Sequence, residues 1–524
     1  MALGRGLDWT HVSGHEEEFL YPELMGGGVA LFDMEGDGDL DVFLVQSGSL
    51  VRPGEPAGHG LFANRGDGTF EDVSLTSGVQ VVGYGQGVAA GDADGDGDVD
   101  LYITNAGPNV LLLNDGSGRF EDATAGAGVG DTGWGTSAAF FDKDQDGDLD
   151  LFVTNYIDWS PESERPCFGP SGRPDYCGPS VYDAPARDVL YENLGDGTFR
   201  DISVEAGVQA AFGNALGVVP GDFDGDGHLD LFVANDMLAD QLWMSRGQET
   251  FEDMAPLMSI ATDPFGRPRA GMGVHAVDID EDDDLDLLVV HLAGENDGLF
   301  RNEGTYFSEA TTKLGLSQVN RMRTRFGVGI HDFDNDGLLD IFQASGRVNL
   351  LQEPLDEVDL YAEPNVLLRG ELGGGFAEVL PEGGTSEPLL ATSRGAAFGD
   401  LDGDGALDVV VVNRDRRVHL LHNLAAARTG GHWLRVQLEE RAGASPMGAS
   451  VTVLAGDRRL RREYESAYSY CSASDPRAQF GLGALEAVEG IVVRWADGTR
   501  ERFPGGEVDR ELVLTRGQGS PEED

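Results

Sequence analysis

The sequence predicts an all-β protein: a seven-bladed β-propeller followed by a small C-terminal β-rich domain. Three observations lead there. An acidic nine-residue pattern, Asp-x-Asp-x-Asp-Gly-x-x-Asp, returns seven times, beginning at Asp33, Asp92, Asp142, Asp222, Asp278, Asp332 and Asp400. The spacing has a base unit near fifty residues, the length of a four-stranded blade. Glycine is abundant, with 76 residues in 524, and helical periodicity is scarce, as in a chain of short strands and tight turns.

Each unit carries the same flanks. A Gly-rich run of small apolar residues, such as GYGQGVAAG or RFGVGIH, precedes the acidic loop. An apolar burst ending in a polar residue follows it, as in LYITN and LFVTN. An NxLYxN-like segment and a GDGTFxDV-like segment complete four short strands, with the acidic loop as the hairpin between the first two. Two units are longer, by inserts near 156–187 and 346–364. Both follow a second strand and so fall at the end opposite the acidic loops, where inserts commonly mark a binding face. The seventh unit lacks the GDGTFxDV segment, and the sequence leaves open how the ring closes. The propeller is placed at 1–425, the second domain at 430–516, and a solvated acidic tail at 517–524.

The acidic loops read as metal sites. Carboxylates at positions one, three, five and nine converge when the loop curls around a glycine at position six. The predicted ligands are Asp33, Glu35, Asp37 and Asp41; Asp92, Asp94, Asp96 and Asp100; Asp142, Asp144, Asp146 and Asp150; Asp222, Asp224, Asp226 and Asp230; Asp278, Asp280, Asp282 and Asp286; Asp332, Asp334, Asp336 and Asp340; and Asp400, Asp402, Asp404 and Asp408. So many hard oxygens suit Ca²⁺ better than Mg²⁺, and up to seven structural Ca²⁺ ions are expected. The loop is not an EF-hand, because it closes with Asp at position nine and lies between strands. The fifth loop has Asp283 at position six, which must take a left-handed conformation.

The formal net charge is −57, which disfavours nucleic acid and anionic membrane surfaces as partners. No apolar stretch is long enough to span a membrane. No signal peptide is recognisable, and MALGRGLDW reads as a trimmed or mature terminus. Of three cysteines, Cys167 and Cys177 bracket a Pro- and Gly-rich insert and suit a local disulfide. Cys471 reads as a small buried residue.

No GxSxG, HExxH or P-loop is present. The polar residue ending each second strand is Gln46, Asn105, Asn155, Asn235, His291, Ser345 or Asn413. Turn chemistry accounts for such residues. Tyr84, Trp134, Arg325 and Arg394 begin first strands at the same end. Together with Asn105, Asn155, Asn235 and His291 they form the candidate ligand mouth, with ordinary rim packing as the plain alternative. His275 and His331 read as core histidines.

The Gly-rich run followed by the acidic loop resembles the FG-GAP repeat of integrin alpha-subunit propellers. The segments GHWLRVQL, GASVTVLAG, DPRAQFGLG and VVRWADG resemble the ASPIC/UnbV domain of the cartilage acidic protein family, bacterial members included. LDWTHVSG, MGGGVALFD and CFGPSGRPDYCGP are similar to the same group. Ser469-Tyr470-Cys471-Ser472-Ala473 departs from that family's Gly-Tyr-Leu-Ser-Gln. The resemblance implies a secreted, cell-surface or periplasmic calcium-binding interaction protein, with the cytoplasm as the alternative address. The implied partner is a protein or glycan. The alternative is a hydrophobic small molecule bound or converted at the channel mouth, since UnbV relatives accompany natural-product (enediyne) biosynthesis.

Overall fold

A computed structural model describes all residues except 1, 17, 53, 55–56, 248, 318–319, 441–444 and 523–524. Seven antiparallel sheets follow one another along residues 29–421, six of four main strands and the last of three. The inner strand of each blade is one of the Gly-rich runs, such as Gly85–Gly91 and Gly271–Val277. The acidic loop then leads into the second strand, such as Asp100–Asn105.

The inner strands are small-residue strands because they crowd one another. A Cβ at Gly87 would stand 2.4 Å from the Thr136 carbonyl oxygen of the next blade. At Gly273 it would stand 2.0 Å from that of Phe326. Neither position tolerates a side chain.

The N-terminal segment closes the ring. The Val418 amide donates to the Trp9 carbonyl (3.1 Å), and the His11 amide donates to the Arg416 carbonyl (3.1 Å), so residues 9–11 edge the seventh sheet.

The C-terminal domain is a sandwich. Ala478–Gly483, His432–Glu439 and Arg510–Thr515 form one sheet, with the last pair parallel. Arg458–Glu463, Ser450–Ala455, Ala487–Arg494, Arg500–Glu507 and Ser520–Pro521 form the other. The expected free tail is therefore corrected: Pro521 pairs with Glu501, and the Gly517 amide donates to that carboxylate. Residues 523–524 of the expected tail lie outside those described.

This domain sits on the acidic-loop face. Arg435 reaches Asp400 (2.7 Å) and Arg494 reaches Asp222 (2.7 Å), while Arg477 donates to the Gly38 carbonyl (3.1 Å). From it, residues 464–477 run down the central channel. The Val88 amide donates to the Cys471 carbonyl (3.1 Å), and Leu31 donates to Ala473 (3.0 Å). Ser469 and Val274 exchange two backbone hydrogen bonds, at 3.0 and 2.7 Å. The Ser469 hydroxyl donates to Ala396 (2.9 Å), and the Tyr470 hydroxyl, at the far end, donates to the Met25 carbonyl (2.9 Å). The segment thus satisfies inner-strand groups of several blades and fills the bore.

Candidate functional site

All seven acidic loops share one backbone form. Positive φ at positions four and six lets the chain curl, for instance Gly95 at 76° and Gly97 at 98°. Asp283 takes φ 74° at position six of the fifth loop, the left-handed conformation its place requires. In the second loop the Asp92 carboxylate accepts from the amides of Gly95 (2.8 Å), Asp96 (3.2 Å) and Gly97 (3.0 Å), which winds the loop round it.

The position-nine carboxylate faces inward and ties the hairpin to the third strand. Asp100 accepts from the Ala93 amide and the Asn114 amide, each at 2.8 Å. Asp41, Asp150, Asp230, Asp286 and Asp340 repeat both bonds with their own neighbours, and Asp408 repeats the second with Asn423. Each carboxylate oxygen keeps a second lone pair, so these bonds leave ligation open. Burial pushes all seven position-nine carboxyls up to about 8.

The residues fit a divalent cation. Carboxylate oxygens of Asp92, Asp94 and Asp96 lie within 4.8 Å of one another, as do those of Asp142, Asp144 and Asp146 and of Asp278, Asp280 and Asp282. Asp222, Asp224 and Asp230 converge likewise. Buried oxygens of Glu35, Asp94, Asp222 and Asp402 have no hydrogen-bond partner. Acceptors gathered without donors are what a hard cation satisfies.

The loops differ in their neighbours. Lys143 pairs with Asp144 (2.5 Å), Arg301 with Asp280 (2.9 Å), and Arg369 with Asp334 (3.0 Å) and Asp336 (2.7 Å). Arg5 pairs with Asp402 (3.1 Å), and His422 lies 3.2 Å from Asp408. Among the described residues, the ligand carboxylates of the first and second loops show no such ion pair. The sequence pattern marks the carboxylates but not these cations, which are single residues scattered along the chain.

The opposite end differs from the expected ligand mouth. Tyr84, Trp134, Arg325 and Arg394 are all buried. Tyr84 donates to the Ser13 carbonyl (2.6 Å), and Trp134 donates to Gln86 (3.1 Å) beneath Tyr21, Tyr156 and Trp159. Arg325 is bound to Asp297 (2.6 Å). Arg394 donates to the carbonyls of Leu24, Gly346 and Arg347 and lies over the Phe326 ring. The N-terminal segment touches Tyr84, Trp134 and Arg394, the first insert adds Trp159 over Trp134, and Tyr470 fills the bore below. These side chains pack the rim; they do not line an open mouth.

The ring of strand-end polar residues is turn chemistry. The Asn105 amide donates to Asn109, Asn155 to Asp188, Asn235 to Asp240, His291 to Asp297, Ser345 to Asn365 and Gln46 to His59. In these six blades the side chain just before the third strand caps the end of the second. Asn413 differs, accepting from the Ser393 hydroxyl. His275 stacks on Tyr468 and accepts from the Ile330 amide (2.9 Å), while His331 meets the Tyr468 hydroxyl (3.1 Å). Both serve the seat of the channel segment.

On that same face the inserts fold against each other. Cys167 and Cys177 are joined by a disulfide, and Asp175 between them accepts from the Leu350 amide (2.9 Å) and the Tyr361 hydroxyl (2.7 Å) of the second insert.

Comparison with known proteins accords with this architecture. The FG-GAP-like repeat model matches residues 33–103, 92–153, 171–233 and 222–289, and the model named ASPIC and UnbV matches 439–521. Cartilage acidic protein 1 of Xenopus tropicalis is 27% identical over 59% of this chain, and that of Homo sapiens is 28% identical over 57%. This chain is an FG-GAP-repeat protein with an ASPIC and UnbV domain, homologous to cartilage acidic protein 1. The matches cover 38% and 43% of those relatives, less than half of their length. Among solved structures, an Agrocybe aegerita lectin that recognises non-reducing terminal N-acetylglucosamine aligns with 76% of this chain and 94% of its own at 15% identity and a TM-score of 0.42. Among the described residues, no helix of this FG-GAP-repeat protein is long and apolar enough to cross a membrane.

Proposed function

We propose that this protein is a calcium-binding, extracellular interaction propeller that meets a protein or glycan partner through the face opposite its acidic loops. The observation that carries the reading is the placement of the C-terminal domain. It covers the acidic-loop face and fills the channel, which leaves the insert-bearing face as the uncovered end. The similarity to cartilage acidic protein 1 and the disulfide in the first insert support the same address. The expected small-molecule chemistry at the channel mouth finds no support in a bore occupied by Tyr470 and Cys471.

Calcium holds the hairpins in this reading, so ion binding contributes directly to folding stability. The expected result is a melting temperature that rises with added Ca²⁺ and falls by 10 °C or more in chelator, an order-of-magnitude figure for losing several sites. Equal melting with and without Ca²⁺ would overturn the calcium assignment. Partner recognition is read separately by surface binding of the calcium-loaded protein to glycan and matrix-protein arrays, with an Asp175→Ala variant that uncouples the two inserts. Undiminished binding by that variant would remove the insert-bearing face from the reading.

A further inference from the structure

A cavity of about 560 Å³ lies on the insert-bearing face. Four segments remote in sequence build it. They are the N-terminal stretch at His15 and Phe19, the disulfide hairpin at Arg173 and Pro174, the second insert from Leu350 to Tyr361, and the seventh-blade turn at 414–416.

Its chemistry is lopsided. The acids on its wall are already engaged. Asp415 accepts from the Ser13 amide (2.8 Å) and hydroxyl (2.9 Å), and Asp359 accepts from the Thr392 amide (3.0 Å) and hydroxyl (2.7 Å). The arginines have fewer hydrogen bonds. Arg416 stands 3.9 Å from Asp359. Arg414 lies over two rings, 5.2 Å from the centroid of Tyr176 and 4.9 Å from that of Tyr361. It is 8% exposed, its Nε stands 3.3 Å from Asp415, and its Nη1 has no hydrogen-bond partner. A guanidinium so fixed is a preorganised fork for a carboxylate, and an unfilled buried donor is costly until a ligand meets it.

The remaining walls, Phe19, Pro174, Leu350, Val358 and Leu360, are apolar. In a chain of net charge −57, three arginines against two aspartates give this largely apolar cavity a slight positive excess. We propose that this cavity binds a carboxylate carried on an apolar or aromatic body, with Arg414 as the anchoring cation. The inference rests on the insert-bearing face being the recognition face, and it names the ligand chemistry found there.

The test titrates the full-length, calcium-loaded protein with N-acetylphenylalanine and with its primary amide, followed by ligand-observed NMR. The acid is expected to bind with a Kd of about 1 mM or tighter, the affinity open to a small ligand with one charged anchor. The amide should bind at least about tenfold more weakly, the scale of one charge-assisted hydrogen-bonded contact. Arg414→Gln should lose binding to the same extent. Val358→Trp, at an exposed position on the entrance, should block it while leaving the guanidinium intact, and it decides the matter if Arg414→Gln fails to fold.

A short peptide ending in free phenylalanine tells the sources apart. Tighter binding than the free amino-acid derivative identifies a protein C-terminus as the source, and equal binding identifies a free small carboxylate. Equal affinity for acid and amide overturns the proposal. So does undiminished binding by Val358→Trp, and so does glucuronate binding where the aromatic acid does not. Melting with and without Ca²⁺ on the same samples reports the calcium reading independently, and a variant lacking insert contacts reports the face.

Discussion

His59 is a buried base with nothing to neutralise it. It is 1% exposed, its Nδ1 accepts from the Gln46 amide (3.0 Å), and its Nε2 has no partner. Burial alone draws its pKa from 6.5 down to about 4, because the charged ring loses its hydration. The sign follows directly. The folded protein holds His59 neutral, so the stability it confers is complete above about pH 6.5. That stability is lost as pH falls toward 4, where the unfolded chain takes up the proton first. His59→Asn keeps an acceptor for the Gln46 amide and cannot titrate. Between pH 7 and pH 4.5 the parent protein should lose about 2 kcal/mol more unfolding free energy than the variant. Denaturant titrations of both proteins at the two pH values measure this difference. Parallel losses would show that His59 is hydrated or paired in solution.

At the scale of the element, the repeat fixes more than its carboxylates. Third strands end in Asn64, Asn114, Asn193 and Asn302, Asn423 stands two residues past the end of another, and each side-chain amide donates to the position-two carbonyl of the preceding blade's acidic loop. Asn64 reaches Leu401 in this way and so joins the first blade to the seventh. The final Asn of the NxLYxN-like segment was visible in the sequence, but its contact spans two blades and no local pattern states it. Blades four and six have Ser245 and Gly370 there instead. The acidic loops were legible because their carboxylates and glycines recur at a fixed local spacing. The tuning of each loop was not, because Arg369, Arg301 and Arg5 reach their loops from separate strands or termini. The sixth loop makes that tuning measurable. Arg369 pairs with Asp334 and Asp336, so a cation entering the loop must displace or share it. The arginine is half exposed, and solvent screening limits its effect to about 1 kcal/mol or less. Arg369→Ala should therefore raise the Ca²⁺ affinity of that loop by a factor of about three to five. Native mass spectrometry at sub-saturating Ca²⁺ would show a higher mean ion count, and an unchanged count would place Arg369 outside the site's energetics.

For the whole molecule, the decisive contacts join ends of the chain far apart in sequence. The two-domain division was legible from composition and motif. The threading of residues 464–477 through the bore was not, since its hydrogen bonds reach backbone groups as remote in sequence as Leu31 and Met25. The departure at Ser469–Ala473 falls on this segment, and the structure gives it a packing role. Gly28 and Gly87 make room for Cys471, whose carbonyl oxygen and Cβ would stand 2.2 and 2.9 Å from a Cβ at those positions. Cys471 is 1% exposed, its amide donates to the Ser137 hydroxyl (2.9 Å), and burial pushes its thiol up to about 12. It therefore reports whether propeller and C-terminal domain open together. In Ca²⁺ at pH 8 the native protein should show no thiol reactive to a disulfide reagent within minutes, and unfolding should release one, since Cys167 and Cys177 are joined. Chelation frees the acidic loops that anchor both the inner strands and the C-terminal domain, so it should raise the labelling rate at least about tenfold, in step with loss of near-ultraviolet circular dichroism. Fast labelling in Ca²⁺ with tertiary structure intact would mean that the channel segment withdraws on its own. The C-terminal domain would then be a separable cap, with the bore open to solvent behind it.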